Sequence, residues 1–117
     1  MLNVSDILRG FTDTIILGQL LHEDGYGYKI NKTLRDKTDG FFELKEATLY
    51  TCFRRLENAN FISSYWGGEN SGARRRYYSI TDEGRKLYKE NVADQKKINI
   101  LLTSLLKEEG EKNEYKN

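Results

Sequence analysis

Apolar residues recur at helical spacing through the middle of the chain. Between residues 46 and 58 the i, i+3, i+4, i+7 pattern of a half-buried helix is made by Leu49, Cys52, Phe53 and Leu56. The pattern ends at Ala59-Asn60, and a strand-like run begins at Phe61. We therefore predict an amphipathic helix with one buried face, followed directly by a strand.

The opposite face of this helix is polar and carries no acid. Its members are Ala47, Thr48, Thr51, Arg54, Arg55 and Asn58. Small residues allow close approach to a partner, threonine hydroxyls bond to base edges, and arginine binds phosphate or guanine. The face therefore favours a helix that enters a DNA major groove, and an ordinary solvated face is the alternative.

Two runs rich in β-branched and aromatic residues follow this helix. Residues 61–66 (FISSYW) and 74–80 (RRRYYSI) flank a loop, residues 67–73, of Gly, Asn and Ser. Such runs around such a loop predict a β-hairpin, and a hairpin after a helix is the order of a winged helix. Because side chains alternate along a strand, at least one residue of Arg74-Arg75-Arg76 must be solvated or bound to an anion.

Helical patterns also precede and follow the helix–hairpin unit. Ser5 is a candidate N-cap for a first helix that runs to about Leu21, and a second helix spans about Tyr26 to Lys37. A short apolar connection, with a brief strand as one interpretation, is formed by Phe41, Phe42 and Leu44. We thus predict a mainly α fold with a small β-hairpin, a winged helix-turn-helix domain over residues 1–80.

A long helix is predicted over residues 81–109, capped by Thr81. Its apolar cluster is too dense to stay in water, so a second copy of the chain is expected to cover it. The predicted dimer interface consists of Val92, Ile98, Leu101, Leu102 and Leu105. Folding back onto the first helix of the same chain is the alternative. Residues 110–117 are charged and are predicted to be a disordered tail.

Net charge is only +1, but the basic excess is local. Residues 45–89 hold nine Lys and Arg against five Asp and Glu, whereas residues 1–44 hold five against seven and residues 90–117 five against six. A confined basic footprint is what local DNA binding requires. The single cysteine, Cys52, excludes an intramolecular disulfide and suits a reducing compartment. With no apolar run long enough to span a bilayer, a soluble cytoplasmic protein is expected.

Several short motifs together resemble the PadR family of bacterial transcriptional regulators. They are ATLY at 47–50, RLE at 55–57, ISSYWG at 62–67, RRRYYSIT at 74–81 and Gly84, with LRG at 8–10 and YGY at 26–28 in the N-terminal half. Ala47 and Thr51 stand where the family usually has Gly and Pro, as in the branch of the lactococcal multidrug-resistance regulator. The resemblance implies a homodimeric repressor of its own and a neighbouring transporter or stress gene, acting on a near-palindromic operator.

The resemblance also implies which residues contact DNA. The reading positions fall on Thr48, Tyr50, Thr51 and Arg54, and the wing contacts on residues 72–76. We assign base-edge contact to Thr48 and Thr51. Backbone anchoring is assigned to Lys45, Arg54, Arg74, Arg75 and Arg76. Tyr50 lies on the flank of the helix, where packing is the alternative to reading.

A small-molecule effector is a further implication of the resemblance. In the multidrug-binding branch a tryptophan of each C-terminal helix stacks flat aromatic drugs, and Gln95 occupies that position here, with Asn99 at a nearby acidic position. A pocket in this chain would hold a more polar ligand. Its predicted lining is Thr14, Leu17, Val92, Gln95 and Asn99. The alternative is that no pocket exists and that Gln95 and Asn99 face each other or solvent across the dimer axis.

Two other classes of protein fit the sequence less well. An enzyme would need a nucleophile beside a base, a carboxylate pair or a metal site, and the sequence offers one His, one Cys and no metal-ligand or phosphate-loop motif. No enzyme activity, cofactor or metal is therefore predicted. A winged-helix module for protein–protein contact would favour an apolar or acidic outer helix face, which the Thr and Arg residues argue against.

Overall fold

The computed structural model describes residues 3–68 and 74–108, and this part of the chain forms five α-helices and one β-hairpin. The helices are α1 (Val4–Leu8), α2 (Thr12–Gln19), α3 (Gly27–Lys37), α4 (Glu46–Asn58) and α5 (Asp82–Leu105). The hairpin consists of β1 (Ile62–Gly67) and β2 (Arg75–Ile80). The mainly helical winged-helix fold with a long C-terminal helix is confirmed.

The predicted first helix is two helices. A 3-10 turn, Arg9–Phe11, separates α1 from α2. Gly10 lies within the turn, where glycine lowers helix propensity, and the Thr12 hydroxyl donates to the Arg9 carbonyl over 2.9 Å. The predicted cap, Ser5, is also wrong, because the side chain of Asn3 accepts from the backbone N–H groups of Ser5 and Asp6.

The core lies between α2, α3, α4 and the hairpin. Its buried apolar residues include the whole predicted stripe of α4, together with Ile16, Leu17, Leu20, Ile30, Leu34, Phe42, Leu44, Ile62 and Tyr78. Phe53 stacks on Tyr78 with ring centroids 3.9 Å apart. Burying a side chain such as Phe53 contributes about 2–3 kcal/mol. The core thus fixes which face of α4 points outward.

The connection between α3 and α4 is not the brief strand considered from the sequence. The side-chain amide of Asn31 donates to the Leu44 carbonyl over 2.7 Å, and its oxygen accepts from the Leu44 N–H over 2.8 Å. A side chain therefore satisfies the backbone groups that a strand partner would otherwise bind.

The hairpin is antiparallel, with Ile62 opposite Ile80 and Trp66 opposite Arg76. Its second strand is also fastened to the turn before α3, because Gly25 and Tyr78 exchange two backbone hydrogen bonds, of 3.1 and 2.7 Å. The hairpin therefore has backbone bonds to the helical part of the fold.

The start of α5 is joined tightly to the end of α4. The hydroxyl of Thr81 accepts from the Gly84 N–H over 3.0 Å and donates to the Asn60 carbonyl over 2.8 Å. The Thr81 N–H donates to the Phe61 carbonyl over 3.1 Å. A Cβ on Gly84 would overlap that Phe61 carbonyl oxygen, so this close approach requires glycine.

The two halves of α5 have different surroundings. In the first half, Tyr88 packs against Gly18 of α2, and the Asn91 amide donates to the Thr14 hydroxyl over 2.9 Å. The second half extends past α2 and ends at Leu105, short of the predicted residue 109. The predicted tail, residues 110–117, lies outside the described residues. No helix in the described ranges is long and apolar enough to cross a membrane.

Candidate nucleic-acid interface

The outward face of α4 is exposed along its whole length. Thr48, Thr51 and Arg54 follow one another at three-residue spacing, which places them in a row along the helix. Lys45 is the N-cap of this helix and is exposed beside them. The predicted base-reading threonines and two predicted anchors thus share one surface.

A groove of about 570 Å³ lies between α4, the start of α3 and the hairpin. Its lining is aromatic and cationic: Tyr26, Tyr28, Tyr50, Arg54, Trp66, Arg74, Arg75, Arg76 and Tyr78, with Gly27 and Glu57. Among these described residues Glu57 is the one acid. We call this feature the basic groove. Its charge suits an anionic polymer, and its rings suit stacking or sugar contacts.

The three arginines of the wing have different environments. The guanidinium carbons of Arg74 and Arg76 lie 5.4 and 5.7 Å from the ring centre of Trp66. The guanidinium of Arg75 lies 4.8 Å from the ring of Tyr26. Arg76 also forms an ion pair of 3.2 Å with Glu57. Arg76, predicted as a DNA anchor, therefore already has an anionic partner inside the protein, which the strand pattern gave no means to foresee.

Tyr50 both packs and lines the basic groove. Its ring meets Phe53 edge to face at 5.7 Å, and 42% of the residue is exposed. Its hydroxyl lies against Gly27, where an added Cβ would come within 2.9 Å of the oxygen. The two roles weighed from the sequence are thus compatible in one side chain.

Arg55 lies on the outward face of α4 but is held by another helix. Its guanidinium forms an ion pair with Asp13 of α2 and donates to the Cys52 sulfur over 3.4 Å. The bond to Asp13 raises the pKa of Arg55. Burial raises the pKa of the Cys52 thiol, and the nearby Arg55 opposes that shift. Cys52 is thus a core thiol, and Arg55 links α4 to α2.

Sequence reasoning gave no DNA-binding role to Tyr26, Tyr28 or Glu57, which all line the basic groove. Tyr26 entered only as the start of a helix, Tyr26 and Tyr28 as part of the YGY motif, and Glu57 as part of RLE. Tyr28 is 67% exposed at the first turn of α3. An exposed aromatic residue directly after a glycine was the available signal, but its position near α4 depends on tertiary packing.

Comparison with known proteins gives a family. The model of the transcriptional regulator PadR-like family matches residues 16–90, which contain the whole helix–hairpin unit. The chain belongs to this family.

Solved PadR-like relatives share the fold over most of their length. A transcriptional regulator from Clostridium thermocellum is 45% identical, with 88% of this chain and 100% of that chain covered and a TM-score of 0.81. A PadR family transcription regulator from Clostridium difficile is 35% identical, with 84% and 100% covered and a TM-score of 0.74. An uncharacterized protein from Lysinibacillus sphaericus is 40% identical over 84% of this chain and 90% of its own length. The two solved relatives are transcription regulators, not enzymes.

A second groove, of about 480 Å³, lies on the other side of this PadR-like chain, between α1, α2 and α5. Its lining is mostly apolar: Ile7, Leu8, Phe11, Ile15, Gly18, Gln19, Tyr88, Ile98 and Leu102, with Thr14, Val92, Gln95 and Asn99. We call it the apolar groove. Four of the five predicted effector-pocket residues meet here.

Leu17, the fifth predicted pocket residue, does not line this groove. Its side chain is fully buried in the core. The helix α2 carries apolar residues on two sides, and the side that faces α5 is lined by Thr14, Ile15 and Gly18, with Phe11 just before the helix. Leu17 belongs with Ile16 and Leu20 on the other side, so the prediction for Leu17 was wrong.

The predicted dimer residues lie at the far end of α5. In the single chain Leu101 is 60% exposed and Leu105 is 77% exposed, and Ile98 and Leu102 are more than two-fifths exposed. Leu106 adds a further 77%-exposed side chain, whereas Val92 is half-buried in the apolar groove. This end of α5 therefore exposes several large apolar side chains to solvent.

Proposed function

We propose that the protein is a homodimeric, sequence-specific repressor that acts in the cytoplasm on a near-palindromic operator. One observation carries the proposal: Arg54, which continues the exposed row of Thr48 and Thr51 on α4, lines the same basic groove as the three arginines of the wing. In winged helices of this kind the outward helix lies in the major groove, and the wing contacts the neighbouring backbone.

The proposed roles follow from charge and position. Thr48 and Thr51 contact base edges, because their short hydroxyl side chains lie exposed on the centre of the helix face. Lys45, Arg54, Arg74 and Arg75 bind phosphates. Arg76 makes a weaker direct contribution, because Glu57 already binds it. The Tyr50 hydroxyl, at the groove wall, donates to the backbone of the bound strand.

The dimer is proposed to form through the second half of α5. An exposed cluster that includes Ile98, Leu101, Leu102 and Leu105 is unfavourable in water, and a partner α5 would cover it. Val92 would lie at the inner edge of that interface. Two copies would then place two α4 helices on the two halves of one operator.

The apolar groove is the proposed effector site. Thr14, Gln95 and Asn99 supply hydrogen-bonding groups among apolar walls, an arrangement typical of small-molecule sites. The resemblance to the multidrug-binding branch rests on Ala47 and Thr51 in the DNA-binding half. Gln95 and Asn99 instead support a ligand more polar than a flat aromatic cation. By family analogy, the regulated genes are its own and a neighbouring transporter or stress gene.

The test is selection of duplexes from a random DNA library, followed by fluorescence anisotropy of a selected duplex and of a scrambled duplex of equal composition. We expect enrichment of an inverted repeat, tighter binding to the selected duplex, and affinity that falls steeply with salt. Failure to enrich any sequence, with equal affinity for both duplexes at low salt, would contradict sequence-specific recognition.

A further inference from the structure

Glu57 lies where electrostatics disfavours a carboxylate. It is the one acid among the described residues that line the basic groove. Glu57 is the penultimate residue of α4, and the C-terminal end of a helix carries partial negative charge. A carboxylate in a groove that receives phosphates also repels them. The contacts of Glu57 show what offsets both costs.

Glu57 binds the first and second strands of the wing at once. The Ser64 hydroxyl donates to one carboxylate oxygen over 2.5 Å, and the Arg76 guanidinium donates to the other over 3.2 Å. Arg76 also donates to the Ser64 oxygen over 3.1 Å, which closes the triangle. The hairpin is thereby connected through side chains to the last turn of α4.

The triangle also positions the exposed part of the wing. Trp66 lies opposite Arg76 in the strand register and is 53% exposed. The guanidinium groups of Arg76 and Arg74 both lie within 5.7 Å of the Trp66 ring centre. Holding Arg76 against Glu57 therefore also restrains the indole ring and the neighbouring Arg74.

We infer that Glu57 is a positioning residue that sets operator selectivity. It acts through Arg76 and Ser64 to hold the wing in one orientation relative to α4. The inference rests on the proposed function and deepens it. Glu57 lowers affinity for every duplex, because it repels phosphate and keeps Arg76 engaged. It raises the preference for duplexes whose backbone fits the fixed wing, because a loose wing would adapt to any of them.

The experiment compares full-length protein with Glu57→Gln, using the selected and scrambled duplexes across a salt series. Glu90→Gln, at an exposed position on α5, is the control with the same change in net charge. For Glu57→Gln we expect the scrambled duplex to bind about 3-fold more tightly, with a salt slope steeper by about one unit, because Arg76 becomes available to phosphate. The ratio of the two affinities should fall about 10-fold.

A second variant separates positioning from charge. Arg76→Gln breaks the same triangle but supplies no freed cation, so the ratio should fall while the scrambled duplex does not bind more tightly. Emission of Trp66, the one tryptophan of the chain, should shift in both variants without DNA and stay unchanged in Glu90→Gln. Should Glu57→Gln unfold, Arg76→Gln and Ser64→Ala test the same triangle.

An unchanged affinity ratio in Glu57→Gln or in Arg76→Gln would overturn the inference. Equal weakening of both duplexes would also overturn it, since that result indicates general support of the fold. If the wild-type protein itself does not discriminate between the two duplexes, the proposed function fails instead, and the Trp66 emission still reports whether Glu57 holds the wing.

Discussion

The two grooves of the molecule differ in whether their side chains already have partners within one chain. In the basic groove, aromatic rings or carboxylates already contact the wing arginines: Trp66 lies near Arg74 and Arg76, and Tyr26 near Arg75. The apolar groove instead continues along α5 into leucines that one chain leaves exposed.

This difference separates what is preorganised from what depends on assembly. Cations held by rings and carboxylates lose little conformational freedom when a partner binds. Exposed leucines gain stabilisation only when a second surface covers them. We therefore expect the basic groove to respond to substitutions within one chain. The apolar groove should respond to the formation or loss of the dimer.

The largest expected effect comes from the open end of α5. Replacing two of the exposed leucines, Leu101→Glu with Leu105→Glu, places charge in the proposed interface. We expect a monomer in sedimentation analysis, with unchanged helical circular dichroism. Affinity for an inverted-repeat duplex should fall on the order of 100-fold, because two linked half-site contacts become independent.

Thr103→Glu is the control for position, since it adds one charge between the two substituted residues but on another side of the helix. A double variant that still sediments as a dimer would show that the leucines at the far end of α5 do not form the interface.

The next effect concerns the contact between Gly84 of α5 and the backbone of Phe61, which precedes the hairpin. Gly84→Ala introduces a Cβ that overlaps the Phe61 carbonyl, so the backbone must shift. We expect the free energy of unfolding to fall by about 1–3 kcal/mol in urea denaturation.

Gly10→Ala is the comparison, because nothing lies within 4 Å of a Cβ at that position. A similar loss of stability in both variants would mean that helix propensity or unfolded-state effects, rather than the Phe61 contact, govern the result at Gly84.

A smaller effect should distinguish two adjacent arginines of α4. Arg54→Ala should reduce affinity about 10-fold and flatten the salt dependence by about one unit, because it removes a phosphate contact. Arg55→Ala should leave the salt slope nearly unchanged, because Asp13 already binds that guanidinium. Equal slopes for the two variants would contradict the separate roles assigned here.

The smallest expected effect on DNA binding comes from titration of the buried thiol of α4. Burial raises the pKa of Cys52, so the folded state favours the neutral thiol. Any contribution to stability is complete below the unfolded pKa of about 8.5 and is lost as pH rises toward the higher folded value. Reaction with Ellman's reagent at pH 8 should be on the order of 100-fold slower in native protein than in urea. Equal reaction rates in native protein and in urea would show that Cys52 on α4 is accessible to solvent and not buried.

Local patterns predicted the elements that one helix or strand determines by itself. The stripe Leu49, Cys52, Phe53 and Leu56 gave the buried face of α4, because helical spacing alone places these side chains together. Leu17 was misassigned because α2 carries apolar residues on two sides, and spacing cannot tell which side meets the core.

Contacts between distant segments could not be predicted in this way. Asp13 lies 42 residues from Arg55, and Glu57 lies 19 residues from Arg76. Charge patterning showed a basic region, but it could not show which arginine side chains form ion pairs within the protein. The predicted DNA contacts at Thr48, Thr51 and Arg54 stay predictions, although all three side chains are exposed on one face.

The junction at Thr81 and Gly84 has a consequence for how a signal could travel. The hydroxyl of Thr81 bonds to the Asn60 carbonyl and to the Gly84 N–H. Gly84 also lies directly against the Phe61 backbone, so α5 follows the hairpin without a flexible linker. A ligand that tilts α5 would therefore rotate α4 and the hairpin together with α5. In the proposed dimer, control of transcription would then be a change in the angle between the two copies, rather than a change of shape within either one.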